Sequence, residues 1–229
     1  MNIAIIPARG GSKRIPRKNI KLFHGKPMIA YSIQAALNSG CFDKVIVSTD
    51  DAEIAEMAKM CGAEVPFVRP SEFSDDFSTT AEVMRHAVEW CIEQGFAPNY
   101  VCCLYATAPF ATARDLREAG ELLRDSKSAY VFSATTFGFP IQRAIKLSES
   151  NSVSMFQPQY ELTRSQDLEE AYHDAGQFYW GTAEAFLSQK AFFAPHSKAY
   201  VLPRKRVQDI DTPEDWEFAE ALYSLVSKS

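Results

Sequence analysis

The loop Pro7-Ala8-Arg9-Gly10-Gly11-Ser12-Lys13-Arg14 follows directly on the apolar run Asn2-Ile3-Ala4-Ile5-Ile6. Its chemistry is that of an anion cradle. Two adjacent glycines allow close backbone approach, so that successive N–H groups can face phosphate oxygens. Arg9 and Lys13 add the positive charge that such oxygens favour. Arg14, Arg17, Lys18 and Lys21 continue the basic run, with Asn19 among them. The alternative reading is a solvated basic turn. The spacing matches neither Gly-x-Gly-x-x-Gly nor Gly-x-x-x-x-Gly-Lys-Ser/Thr. A dehydrogenase-type dinucleotide fold and a P-loop therefore both lack support.

A second candidate lies near the other end of the chain, at Asp209-Ile210-Asp211. In an extended segment the side chains alternate, so both carboxylates fall on one side. Carboxylates held together repel unless a cation lies between them. Mg²⁺ is commonly held by one or two carboxylates together with phosphate oxygens, which makes Asp209 and Asp211 a candidate metal pair. The competing reading is partial capping of the helix that begins at Thr212. The histidines His24, His86, His173 and His196 are scattered, and no Ser–His–Asp set is visible. The five cysteines have no zinc-ligand or redox spacing and read as reduced thiols of a cytoplasmic protein.

Alternating elements must position these residues. Short apolar runs at 2–6, 45–49, 100–104 and 130–134 read as strands buried on both faces of a parallel sheet. Helices are predicted between them: from Pro27 to Gly40, up to about Met60, from a Thr79/Glu82 capping box to about Gln94, and from Thr112/Asp115 to about Arg124. Another is predicted near 182–189. The last has Thr212 as its cap and Pro213 and Asp215 in its first turn. This order predicts an α/β, three-layer, doubly wound and mostly parallel sheet. Between about 137 and 181 the rhythm breaks into short β-like pieces, read as an arm inserted into a single 1–229 domain. In such sheets ligands bind beyond the carboxyl ends of the strands, where the first loop sits.

Composition narrows the partners. The chain has 229 residues and a formal net charge of −5, so clustered Lys and Arg at the first loop suit a small anion better than nucleic acid. Arg9 interrupts the N-terminal apolar stretch, which predicts no secretory leader, and no apolar run approaches a membrane span.

Taken together, these stations resemble the CMP-sugar synthetase (acylneuraminate cytidylyltransferase) family. The resemblance rests on Ala8-Arg9-Gly10-Gly11-Ser12-Lys13 with Lys18-Asn19. It continues in Arg69-Pro-Ser-Glu-Phe-Ser-Asp-Asp76 with Thr80, and in Tyr105-Ala-Thr107-Ala-Pro109. It ends with Thr163-Arg164-Ser-Gln166-Asp167, His173-Asp-Ala-Gly-Gln177-Phe-Tyr179 and Asp209-Ile-Asp211. Within the family, the stretch around Gln177 is more similar to pseudaminic acid cytidylyltransferases. Tyr105 stands where sialic acid enzymes carry Gln. The resemblance implies a Rossmann-like nucleotidyltransferase sheet with a small dimerisation arm, acting as a homodimer. It implies Mg²⁺-dependent transfer of CMP from CTP to an acidic nonulosonic sugar. Ala8 through Lys13, Lys18, Asn19, Arg69, Thr80 and Tyr105 are then expected at the nucleotide. Tyr105, Thr107, Arg164, Gln166, Asp167, His173, Gln177 and Tyr179 are expected at the sugar. Arg9, Lys13, Asp209 and Asp211 are the expected catalytic set. Sialic acid, legionaminic acid and Kdo enzymes remain open alternatives, as does a nucleotide-sugar binding module without turnover.

Overall fold

In the computed structural model, β1 (Asn2–Pro7) is an interior strand, as its unbroken apolar run requires. The basic loop follows, then a small hairpin of β2 (Leu22–Phe23) and β3 (Lys26–Pro27). Next comes α1 (Met28–Ser39), with Pro27 at its N-cap and Gly40 ending it at a φ of 64°. The chain continues through β4 (Lys44–Ser48), α2 (Ala52–Met60), α3 (Thr80–Glu93), β5 (Tyr100–Leu104), α4 (Ala113–Ser126) and β6 (Tyr130–Thr136). The boxes Thr79/Glu82 and Thr112/Asp115 both form, each satisfying two otherwise orphaned N–H groups. An excursion then carries the antiparallel pair β7 (Ile145–Leu147) and β8 (Val153–Met155). The chain returns through β9 (Tyr172–Thr182), α5 (Ala183–Leu187), β10 (Ser197–Val201) and α6 (Pro213–Val226). The structure describes residues 1–75 and 77–227. Asp76, the last residue of the 69–76 segment, lies outside the described residues, as do 228 and 229.

The main sheet has the order β10-β6-β9-β5-β1-β4. All neighbours pair parallel except β9, which runs antiparallel to both β5 and β6. This moves the boundary of the irregular segment. The stretch predicted as an arm to about 181 ends near 171, because 172–182 is a central strand of the sheet. An antiparallel strand needs no crossover helix, so the strand–helix rhythm does not announce it. Its composition, with Trp, Tyr and buried Gln177 in place of Val and Ile, also hides it.

Alternation along the strands builds two cores. Ala4, Ile6, Val45, Val47, Cys102, Leu104, Phe178 and Trp180 face α1, α2 and α4. Ile3, Ile5, Ile46, Val101, Cys103 and Tyr179 face α3 and α5. Each fully buried large side chain of this kind contributes roughly 1.5–3 kcal/mol. Trp180 shows how one residue ties the layers. Its ring stacks on Phe42 at 4.8 Å, and its indole N–H donates to the carbonyl of Leu116 at 2.9 Å. A third cluster, Ile15, Phe23, Met28, Phe110, Ile210 and Trp216, seats α6 beside the first loop. Among the described residues, no helix is long and apolar enough to cross a membrane.

Gly181 marks the tightest approach in β9. A Cβ there would lie 2.5 Å from the Tyr130 ring and 2.8 Å from Phe186. Gly181→Ala should destabilise the fold by about 1–3 kcal/mol through overpacking. The shift in urea midpoint at unchanged slope measures it.

Candidate active site

The first loop leaves β1 through Ala8, whose N–H still donates to Ser48 as though the strand continued. At Gly10 the chain passes against the end of β4. The Gly10 N–H donates to Asp50 Oδ1 at 3.1 Å, and a Cβ on Gly10 would stand 2.5 Å from Asp51 Oδ2. Only glycine fits there. Gly11 has nothing within 4 Å of its Cβ position, so packing within the chain does not demand glycine at that site. Asp51 has two tasks. It caps α2 by accepting from the Ile54 N–H, and it takes Arg17 in a fork at 2.5 and 3.0 Å. Arg17, at a φ of 56°, also reaches Glu53 at 2.7 Å. The Arg17 hydrogen bond holds the Asp51 carboxyl below the usual carboxylate range. Buried Asn19 donates to the carbonyl of Arg9 at 3.0 Å, which ties the end of the loop back to its start.

This pinned loop forms one wall of a cleft of about 290 Å³ beyond the carboxyl ends of β1 and β5. Five cationic residues line it, Arg9, Lys13, Arg14, Lys18 and Arg69, against Asp75 and Asp211 among the described residues. Such a wall attracts anions. Arg69 is 4% exposed. Its Nε donates to Ser74 Oγ at 3.2 Å, and its outer nitrogen is 3.7 Å from Asp50. Burial lowers the pKa of this guanidinium, and the charge of Asp50 works in the opposite direction. Among the described residues these two side-chain contacts leave most of its donor capacity for a ligand. Arg9 donates to the carbonyl of Asp75 at 2.9 Å, joining the loop to the opposite wall. Thr80, the first residue of α3, and Tyr105, just after β5, meet through their hydroxyls at 3.2 Å. Burial pushes the Tyr105 phenol up to about 12. Thr107 lines the same cleft.

Of the carboxylate pair, Asp211 lines this cleft from the other end of the chain, while Asp209 lies outside its lining. Ile210 is fully buried in the third cluster, and the residues on either side of it turn away from that core. Asp211 accepts from Arg14 at 2.7 Å and from Lys18 at 3.3 Å, and Lys18 also donates to the carbonyl of Ile210 at 2.5 Å. Asp209 lies close to Gly176 of β9, whose Cβ position would be 3.8 Å from its carboxylate. Partial desolvation, and then the charge of Asp211, raise the Asp209 pKa. A carboxylate under that strain is one that a cation would relieve. Among the described residues no group of three or more His, Cys, Asp or Glu gathers as a metal set. A two-carboxylate site of this kind suits a cation that also takes phosphate oxygens as ligands.

The residues expected at the sugar divide into two sets. Tyr105 and Thr107 are in the cleft. Arg164, Gln166 and Asp167 lie in the excursion, exposed, with Arg164 paired to Asp167 at 2.6 Å. His173 faces Phe137 ring to ring at 4.8 Å, and its Nδ1 lies 2.8 Å from the carbonyl of Asp174. Gln177 and Tyr179 are buried in β9 behind Tyr105. The Tyr179 hydroxyl donates to Asp174, and burial raises its pKa. Several residues of the site and its frame were given no role from sequence: Asp50, Asp51, Asp75 and the pair Arg206–Asp115. Asp50-Asp51 did carry a signal, since two carboxylates follow a buried strand at the ligand end of the sheet.

Comparisons with known proteins give the family and the fold. A family model described as cytidylyltransferase matches residues 3–226. The pseudaminic acid cytidylyltransferase of Campylobacter jejuni is 52% identical over 228 residues, covering 100% of this chain and 98% of its own. The CMP-N,N'-diacetyllegionaminic acid synthase of Legionella pneumophila is 33% identical, covering 97% and 96%. Among solved structures, a CMP:2-keto-3-deoxy-manno-octonic acid synthetase complexed with CTP has a TM-score of 0.71 at 18% identity. That match covers 98% of this chain and 99% of the other, and it speaks to the fold.

Acid should loosen the frame around the cleft. Burial alone would raise the Asp115 pKa, but hydrogen bonds from Arg206 and Thr112 outweigh it and hold the carboxyl below its usual range. Asp51 is depressed as well. Groups of this kind stabilise the fold fully above about pH 4 and lose that contribution as pH falls through their folded-state values. Asp115→Asn should therefore melt below the wild type at neutral pH, with the gap narrowing as pH falls below about 4. Melting curves across that range test the sign.

Proposed function

The chain belongs to the cytidylyltransferase family, and we propose that it transfers CMP from CTP to the anomeric hydroxyl of a nonulosonic acid, pseudaminic acid in particular, releasing pyrophosphate. The observation that carries the nucleotide half is the gathering of five cations in one cleft, at the ligand end of the sheet, in a chain of net charge −5. The identity that runs the whole length of the Campylobacter jejuni protein supports the choice of sugar.

The reaction is an in-line attack by the sugar hydroxyl on the α-phosphate, with pyrophosphate as leaving group. No covalent enzyme intermediate is required, so catalysis rests on positioning and charge. Arg9 and Lys13 stabilise negative charge growing on the phosphates. The Gly10 N–H is taken by Asp50 and the Ser12 N–H by the Gly10 carbonyl, so the side chains of the loop carry the contact with these anions, and Asn19 holds the loop that presents them. Lys18 and Arg14 pass from Asp211 to the triphosphate as it enters. Arg69, Thr80 and Tyr105 bound the nucleotide side, and Tyr105 with Thr107 faces the sugar. Asp209 and Asp211 would hold Mg²⁺, which when bound neutralises phosphate charge and acidifies a nearby hydroxyl.

The excursion supports a homodimer. It exposes Phe139, Ile145, Leu147, Phe156 and Leu162, the last 94% exposed. A second copy of the chain is the occupant that the resemblance implies, and it would bring Arg164, Gln166 and Asp167 to a neighbouring cleft. Cysteines that all stand as free thiols fit a cytoplasmic protein. Light scattering should give twice the chain mass at micromolar concentration, and a persistent monomer would overturn the dimer.

Pyrophosphate release with CTP and Mg²⁺, measured against pseudaminic, legionaminic, N-acetylneuraminic and Kdo acids, tests the reaction. Release with pseudaminic acid is the expected outcome. Release only with another acid would move the specificity, and CTP binding without release would leave a binding module. Asp211→Ala should lower kcat by at least about 100-fold while the circular dichroism stays native.

A further inference from the structure

Asp209 and Asp211 lie on a segment that no strand pairing holds. Residues 207–211 run between a short 3-10 turn, Arg204–Arg206, and the N-cap of α6. Their downstream end has its own ties. Lys18 donates to the carbonyl of Ile210, and the Asp211 N–H donates to Asp215 Oδ2 at 3.1 Å. At the upstream end Gln208 Nε2 donates to the Asp209 carbonyl at 2.7 Å and to Asp215 Oδ1 at 3.2 Å, and Arg206 ties the segment to the rest of the fold. Its guanidinium forks onto Asp115 with Nη1–Oδ2 at 2.6 Å and Nη2–Oδ1 at 2.9 Å. The Asp115 side chain is 4% exposed. The Arg206 carbonyl meanwhile accepts from Gln177 Nε2 of β9 at 2.6 Å. One residue is thus fastened by its side chain to α4 and by its backbone to the sheet, three positions before Asp209.

We infer that Arg206 is a positioning residue for the carboxylate pair, setting through its fork with Asp115 where Asp209 stands relative to Asp211 and the cleft that Asp211 lines. Asp211 is the member of this segment that lines the cleft, and Arg206 and Asp209 do not, so Arg206 acts through the segment it anchors. A buried ion pair is weak grounds for stability as such, because well-packed apolar residues often serve as well. What a forked guanidinium–carboxylate pair supplies is fixed distance and fixed orientation. Asp115 is itself locked, since its Oδ2 also accepts from the Thr112 hydroxyl at 2.6 Å and N–H at 3.0 Å in the α4 capping box. The metal segment is therefore registered against a helix terminus 91 residues away in sequence. Supporting partners of this kind are typically worth about 10- to 100-fold in metal affinity.

The inference rests on Asp209 and Asp211 as Mg²⁺ ligands, and the test separates the two ideas. Wild type, Arg206→Met, Arg206→Lys and Asp209→Asn are compared for the Mg²⁺ concentration giving half-maximal pyrophosphate release. KM for CTP at saturating Mg²⁺, the melting temperature and hydrogen exchange of the 207–211 amides with CTP and Mg²⁺ are measured alongside. Arg206→Met should raise the Mg²⁺ requirement by about 10-fold or more, leave KM for CTP near wild type and lose Mg²⁺-dependent protection of those amides. Arg206→Lys should restore part of each. A lower melting temperature with Mg²⁺ requirement and amide protection unchanged would make Arg206 merely structural and overturn the inference. If Asp209→Asn itself leaves Mg²⁺ dependence unchanged, the metal reading fails at its source and the inference falls with it. Should Arg206→Met not fold, Arg206→Lys and Asp115→Asn carry the same readouts.

Discussion

Positive charges crowded at one end of a sheet repel one another, and carboxylates at the same end offset that repulsion. Asp50 faces the Gly10 N–H and Arg69. Asp51 takes Arg17, and Asp211 takes Arg14 and Lys18. These contacts differ in strength. Asp51 is doubly hydrogen-bonded and half-buried, so it acts as a fixture. The Arg14–Asp211 pair is open to solvent on both sides and is weak on its own. The cleft thus combines a rigid frame, which places the loop, with exchangeable pairs that a stronger anion can replace. In the proposed reaction an incoming triphosphate would compete with one exposed carboxylate and leave the frame undisturbed.

Local chemistry was legible in the sequence where a hydrogen bond closes within a few residues. Thr79 with Glu82, Thr112 with Asp115, and Thr212 with Asp215 all formed the capping boxes that their spacing announces. Strands with unbroken apolar runs were legible for the same reason, since burial on both faces leaves no room for polar side chains. β9 escaped because its interior positions include Asp174, Gly176 and Gln177. β10, at the edge of the sheet, is half exposed and has no such run.

The site divides along the same line. The loop from Arg9 to Asn19 could be read as an anion cradle because its elements are contiguous. Arg14 meeting Asp211 across 197 residues, or Arg206 meeting Asp115 across 91, has no local trace. Such pairs follow from which strands are neighbours. The same holds for Arg69, whose burial depends on the loop beside β4 and not on any pattern around it. Arg164, Gln166 and Asp167 form a contiguous motif, yet in a single chain they lie apart from the cleft.

The excursion leaves the sheet at Thr136 and re-enters at Tyr172, and these two residues are paired partners on adjacent strands. The Phe137 N–H donates to the Ala171 carbonyl at 3.1 Å and closes the neck. An insertion whose ends already touch is nearly autonomous. Its length and sequence can drift, or be exchanged wholesale for another, with little strain passed to the strands on either side. The fold therefore carries a cassette. Evolution can rewrite the excursion while the cleft and its charges remain as they are.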